Sequence, residues 1–280
     1  MRQPSRRLGP VFTAKWQAVF FNVSALKSGI SWRWGIGSMN DLSWDIDYAI
    51  LPVPAELGLA RDEEYFAACA KNATAVMRVW RCEQALIASS KEQRATNFSA
   101  ACAQLAARDW PVHVRRTGGS CVPQGPGVLN FSMIYPAPVT EGIDGSYDLL
   151  CKFLIGLFSQ LGINAEVGDV PGSFCDGRFN LQVDGQKIVG TAQRRKPIKQ
   201  TENVAVLAHA CILLDLDLDM ATGGINQLYE LIGDQTRFEL GACTTVRQLM
   251  GERYQGVEEI GELLRSYFIK SFNTPLGEQP

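Results

Sequence analysis

Chemistry in this 280-residue chain gathers in residues 171–195, PGSFCDGRFNLQVDGQKIVGTAQRR, where one cysteine and one lysine stand among several glycines. Phe179, Leu181 and Val183 alternate with Asn180, Gln182 and Asp184, the spacing of a half-buried strand, and Asp184-Gly185 supplies a tight turn. Residues 187–191 continue as a second strand, so the pattern predicts a β-hairpin. Such a hairpin returns Lys187 towards the loop that holds Cys175. An ammonium beside a thiol favours the thiolate, which is the attacking form. The chemistry implied is that of an activated nucleophile.

Residues 115–132, RRTGGSCVPQGPGVLNFS, form the second informative stretch. Their glycines let backbone approach a ligand where side chains would obstruct it, although ordinary turn chemistry accounts for them equally well. No GKS or GKT follows, which excludes a P-loop, and no helical pattern follows, which excludes a dinucleotide fingerprint. Only His113 and His209 are present, so a Ser-His-Asp triad has few ways to be built. His209 interrupts the apolar run 204–214 and, taken alone, reads as a hydrogen-bonded core residue.

The elements that must position these groups can be read in outline. Residues 38–51 carry a cap-like Asn40-Asp41 followed by Leu42, Ile46, Ala49 and Ile50 at helical spacing, stopped by Pro52 and Pro54. Strands are expected at 76–80, 85–88, 112–116 and 204–214, and helices at 97–108, 147–161, 224–232, 244–250 and 257–272. Arg194-Arg195-Lys196 reads as a solvated turn, with an acidic partner as the alternative. Asp215, Asp217 and Asp219 lack the glycine and terminal glutamate of a calcium loop and mark a strand end.

Composition bounds the function. With 46% hydrophobic residues, 20% charged residues and a net charge of -2, the chain is neither disordered nor a nucleic-acid-binding polycation. Eight cysteines without a CxxC pair argue against a zinc site and read as reduced cytoplasmic thiols, most of them small core hydrophobes. The first 37 residues hold Arg2, Arg6, Arg7, Lys15, Lys27 and Arg33 and no acid. Their apolar run is too short to span a bilayer, and Lys15 and Gln17 interrupt a secretory core, leaving an organellar presequence as the alternative. Trp16, Trp32 and Trp34 read there as packing anchors.

The two stretches above, with the strand AHACILLDLDL and with SWDIDYAIL, resemble the biotin/lipoate protein ligase superfamily, closest to its cysteine-dependent octanoyl/lipoyl amidotransferases. The resemblance covers residues 38–219, leaving 1–37 as an N-terminal extension and 220–280 as a C-terminal helical segment expected to pack on the core. It implies an α+β fold with a mixed, largely antiparallel sheet flanked by helices. It also implies that Cys175 becomes an acyl-thioester and that Lys187 activates it. Arg115, Gly118, Gly119 and Asn130 match the turn lining the acyl site, Gly190 and Gln193 match the strand opposite, and His209 falls where the family often has a histidine. Ser120, Cys121 and the run Pro123-Gln124-Gly125 depart from the ligases, where a histidine-aspartate pair often stands, which weighs against adenylate chemistry.

The activity so implied is octanoyl or lipoyl transfer from the glycine cleavage H protein to lysines of the E2 lipoyl domains of 2-oxoacid dehydrogenases. It needs no cofactor, metal, nucleic acid or membrane. The alternatives are octanoyl transfer from acyl carrier protein to the H protein, an ATP-dependent lipoate ligase in which Cys175 is incidental, and a non-catalytic binder of lipoyl domains.

Overall fold

The computed structural model describes Met39 and residues 41–272. The readings made for residues 1–37 lie outside these residues. In chain order, the first half forms β1 (Trp44–Val53), α1 (Ala55–Asn72), β2 (Ala75–Cys82), β3 (Ala85–Ala88), α2 (Ser90–Gln93), α3 (Phe98–Ala106), β4 (Val112–Val114), β5 (Val122–Gln124) and β6 (Val128–Pro138). Then follow α4 (Gly142–Gln160), β7 (Glu166–Val167), β8 (Leu181–Val183), β9 (Gln186–Pro197), β10 (Asn203–Leu213), α5 (Leu218–Leu231), α6 (Val246–Met250) and α7 (Val257–Phe272).

A seven-stranded sheet has the order β1-β2-β6-β10-β9-β8-β7, and only the β1–β2 pair in it is parallel. A second sheet, β4-β3-β5, stands beside it. Alternation along the strands divides the main sheet between two helical layers. Met77, Phe131, Met133, Tyr135, Val206 and Ala208 point into the larger core with Leu150 and Leu154 of α4 and Leu264 and Phe268 of α7. Val76, Ile134, Ala205 and Leu207 point the other way, onto Phe66 and Cys69 of α1. This is the expected α+β arrangement of a largely antiparallel sheet flanked by helices.

Three local readings are corrected. Residues 44–53 form strand β1, not part of a helix over 38–51, because Trp44, Ile46, Tyr48 and Ile50 alternate onto one face and join the larger core. Helix α1, which no spacing had indicated, buries a stripe of Ala55, Gly58, Asp62, Phe66 and Cys69. Two members of that stripe are not hydrophobic. Gly58 is there because a Cβ would fall 1.9 Å from the Trp80 ring. Asp62 is there because Arg78 of β2 meets it at 2.6 Å, while also reaching Asp47 at 3.0 Å. Finally, Arg194 and Arg195 belong to β9 and not to a solvated turn; Arg194 Nη1 donates to both carboxylate oxygens of Glu63 in α1, the acidic partner held as the alternative, and Arg195 bonds Gly142 O and Ser146 at the start of α4.

The hairpin forms as expected. Asp184 and Gly185 both take positive φ, 50° and 79°, as its tight turn between β8 and β9 requires. Asp217 caps α5 through a bond from Met220 N at 2.9 Å, which accounts for one of the three alternating aspartates at the end of β10. Among the described residues no helix is long and apolar enough to cross a membrane, and no group of three or more His, Cys, Asp or Glu could hold a metal ion.

Candidate active site

Cys175 stands in the loop that leads into β8, with φ of 50°, a left-handed backbone that costs a non-glycine residue about 1–3 kcal/mol. The loop is held from both sides. Lys187 Nζ donates to the carbonyl oxygens of Phe174 and, at 3.0 Å, Cys175, and Asn180 Nδ2 donates to the same Cys175 oxygen at 2.9 Å. Behind the loop, Phe174 packs on Phe238, and Glu239 N donates to Gly172 O at 2.9 Å.

The strand pairing explains how Lys187 reaches this turn. Gln182 pairs with Lys187 but Leu181 pairs with Val189, so the ladder slips by one residue beside Lys187. A bulge of this kind re-aims a side chain. The Lys187 backbone is fixed on its other edge by bonds to Ala242 O and from Thr244 N, both 2.9 Å. Lys187 as a residue is 2% exposed, and burial lowers its pKa while the nearby Cys175 opposes the shift. The expected approach of lysine and cysteine loop is therefore present, and the ammonium's hydrogen bonds go to the loop carbonyls.

The glycine turn supplies the other wall. Ser120 N donates to Cys175 Sγ at 3.2 Å, and Arg115 Nη2 lies 3.7 Å from the same sulfur. Arg115 is itself locked by bonds to Ile87 O, Gly118 O and Ser120 O. The far side of the turn is pinned by Glu92, whose carboxylate accepts from Ser89, Tyr229 and Cys121 N. Gly119 has φ of 99°, and a Cβ there would sit 2.4 Å from the Cys175 sulfur. Gly118 borders open space, so only the second glycine is required by the packing.

Beyond the sulfur a cavity opens between the two sheets. Leu59, Trp80, Ile87, Val122, Ala192 and Ala210 give it an apolar lining, and Cys175, Arg115, Asn130, Gly190 and His209 also border it. Register brings these together: Asn130 and Gly190 both lie opposite Cys211, and Ala192 lies opposite His209, so all point to one face. Gln193 is opposite Ala208, whose side chain faces the larger core. Its amide donates to Ile143 O at 2.7 Å, away from this cavity.

The sequence gives Gln124, Thr117, Thr191 and Asn180 no expected place in the site. Gln124 and Asn130 exchange amide hydrogen bonds at 2.9 and 3.0 Å within the cavity wall. Thr117 Oγ1 lies 3.1 Å from His209 Nε2. Burial, then the Arg115 charge, push the His209 pKa down to about 3, so its imidazole is neutral at neutral pH. None of these pairs is adjacent in a motif, and only the strand register could have joined Asn130 to His209.

Such a site can form and protect a thioester: a buried sulfur facing a backbone N–H, a guanidinium beside it, and an apolar chamber for a hydrocarbon chain. An octanoyl-[GcvH]:protein N-octanoyltransferase of Kyrpidia tusciae is 30% identical over 222 residues, covering 78% of this chain and 77% of that protein. The protein of the same name from Geobacillus kaustophilus is 29% identical over 144 residues, covering 51% and 50%. In fold, the chain is similar to lipoate-protein ligase A bound with ATP, with a TM-score of 0.62 and 18% identity over 81% of this chain and 85% of that one. A bi-partite lipoate protein ligase from Thermoplasma acidophilum, described together with its E2 lipoyl domain, gives a TM-score of 0.59 with 17% identity, covering 85% and 87%. Since residues 54–265, most of the chain, match the lipoyl protein ligase A/B catalytic domain, this protein belongs to that family.

Proposed function

We propose that this protein is an acyltransferase of protein lipoylation, moving an octanoyl group from the glycine cleavage H protein to lysines of E2 lipoyl domains through a thioester on Cys175, in the cytoplasm. The observation that carries this reading is the Cys175 sulfur, faced by the Ser120 N–H and Arg115 and opening on an apolar cavity. The name borne by the Kyrpidia and Geobacillus relatives supports the donor, and the pairing of the Thermoplasma ligase with an E2 lipoyl domain supports the acceptor.

In the first half-reaction the thiolate adds to the carbonyl carbon of an octanoyl-lysine amide. The C–S bond forms, the tetrahedral oxyanion collapses, and the C–N bond breaks. The departing lysine amine takes a proton. His209, neutral above about pH 3, has no imidazolium proton to give. The Lys187 ammonium, whose pKa is lowered by burial, stands at the cysteine turn as the acid. In the second half-reaction the acceptor lysine amine adds to the thioester carbonyl, the C–S bond breaks, and the amine's proton returns to the site. The oxyanion meets the Ser120 N–H, which already points at the sulfur, and the Arg115 charge nearby.

Cys175→Ser tests the reading, because a hydroxyl at this turn ionises far less than a thiol. Transfer from octanoylated H protein to an E2 lipoyl domain is expected to vanish, while Cys69→Ala, Cys102→Ala and Cys151→Ala retain it. Wild-type levels of transfer by Cys175→Ser would refute the thioester route, and a strict ATP requirement would favour the ligase reading.

A further inference from the structure

We propose that Asn180 is a positioning residue for this acyl transfer, a side-chain bolt that joins the Cys175 turn to strand β9. The proposal rests on the thioester reading of Cys175. Asn180 is 1% exposed, and every polar group it carries is used. Its Nδ2 donates to Cys175 O at 2.9 Å, and its Oδ1 accepts from Thr191 N at 3.0 Å. Its own N–H donates to Gly177 O, and its carbonyl accepts from Gly168 N.

The place of this residue in the fold explains the need for it. Strand β8 begins at Leu181, so beyond that point β9 has lost its ladder partner on this side. Thr191 N would be left without an acceptor, and the Asn180 amide fills the missing rung. The same amide then holds the Cys175 carbonyl, which also accepts from Lys187, so two donors from different positions fix one peptide plane. That plane fixes the ψ side of the left-handed Cys175, while Lys187 on the Phe174 carbonyl holds the peptide on its φ side, and the two together set the direction in which Cα–Cβ carries the sulfur to the Ser120 N–H. Thr191 also borders the acyl cavity, so the bolt ties the nucleophile to the chamber wall. Lys187 alone leaves a hinge, because an ammonium on a flexible stem orients a carbonyl less tightly than a planar amide bonded at both ends.

The test uses the full chain with Asn180→Asp and Asn180→Ser. The aspartate keeps the acceptor for Thr191 N and loses the donor to Cys175 O; the serine is too short to serve both. Three quantities are read: the rate of Cys175 alkylation by iodoacetamide across pH, the rate of Cys175 octanoyl loading from octanoylated H protein, and its dependence on donor concentration. We expect kcat to fall at least tenfold with KM nearly unchanged, and the alkylation profile to move, because a misplacement of about 1 Å costs roughly 100-fold in rate. A folded variant with the wild-type alkylation profile and kcat overturns the proposal, whatever its thermal stability. Should neither variant fold, hydrogen exchange in the wild type decides: slow exchange at the Thr191 amide is expected, and exchange at the rate of a free strand end overturns it. Alkylation needs no acyl substrate. Normal alkylation without acyl loading in the wild type would therefore refute the transferase reading and leave the Asn180 bolt standing.

Discussion

At the scale of residues, the site separates two basic side chains, Lys187, which the sequence sets near the nucleophile, and His209, which taken alone reads as a core residue. Lys187 keeps its ammonium buried on the carbonyls of the cysteine turn, whereas His209 is held neutral by burial and by Arg115. The His209 shift has a consequence for stability. An unfolded histidine titrates near pH 6.5 and the folded one near about 3, so the unfolded chain binds the extra proton between those values. Its contribution is full above about pH 6.5 and is lost as pH falls towards about 3. His209→Gln, whose amide can still face Thr117, is expected to flatten that part of the curve of Tm against pH; an unchanged slope would show that His209 does not titrate as described. For Lys187→Ala we expect alkylation of Cys175 near pH 7 to slow severalfold, with Lys187→Arg restoring it only in part, because a planar guanidinium cannot reach both loop carbonyls as an ammonium does. Equal rates in all three proteins would remove Lys187 from the activation of the thiol. Cys175 and Lys187 were legible in the sequence because one hairpin joins them. Asn180 was not, since in sequence it is only the polar half of an alternating strand, and its two partners appear once β8 ends and β9 continues.

At the scale of elements, the glycine turn and helix α1 carry the geometry. Gly119→Ala would force a side chain onto the Cys175 sulfur at a positive φ, and we expect a loss of about 1 kcal/mol or more in stability with activity down at least tenfold. Gly118→Ala meets nothing and is expected to stay close to wild type. Assays of the two variants side by side check this; equal losses would place the constraint in the turn's flexibility and not at the sulfur. Beneath α1, Arg78→Met leaves buried Asp62 without its cation, while Asp47 keeps Arg61 at 3.9 Å, and breaking a buried pair of this kind costs about 3–5 kcal/mol, to be measured by denaturant unfolding. The same pair explains why α1 escaped notice: its buried stripe contains Gly58 and Asp62, and their partners, Trp80 and Arg78, come from β2. Strand β1 was misread for a related reason, since Leu42, Ile46 and Ala49 fall at helical spacing while the alternation from Trp44 to Ile50 is what the sheet uses. The hairpin, β3, β10 and α7 were readable because turn residues or a continuous apolar period mark each one.

At the scale of the whole molecule, the site is assembled from distant parts of the chain. The small sheet brings Arg115, the main sheet brings Asn130, Gly190 and His209, and residues 238–244, which carry no motif, back the cysteine loop and fix the Lys187 backbone. The family and fold could therefore be read from four short stretches, but the cavity wall could not. The most direct measurement is an intact-protein mass spectrum after incubation with octanoylated H protein and no ATP, followed by peptide mapping. A mass gain of one octanoyl group, located on Cys175 and discharged on addition of an E2 lipoyl domain, is the expected result. Transfer to the lipoyl domain without any acylated Cys175, or no transfer until ATP is added, would contradict the thioester route.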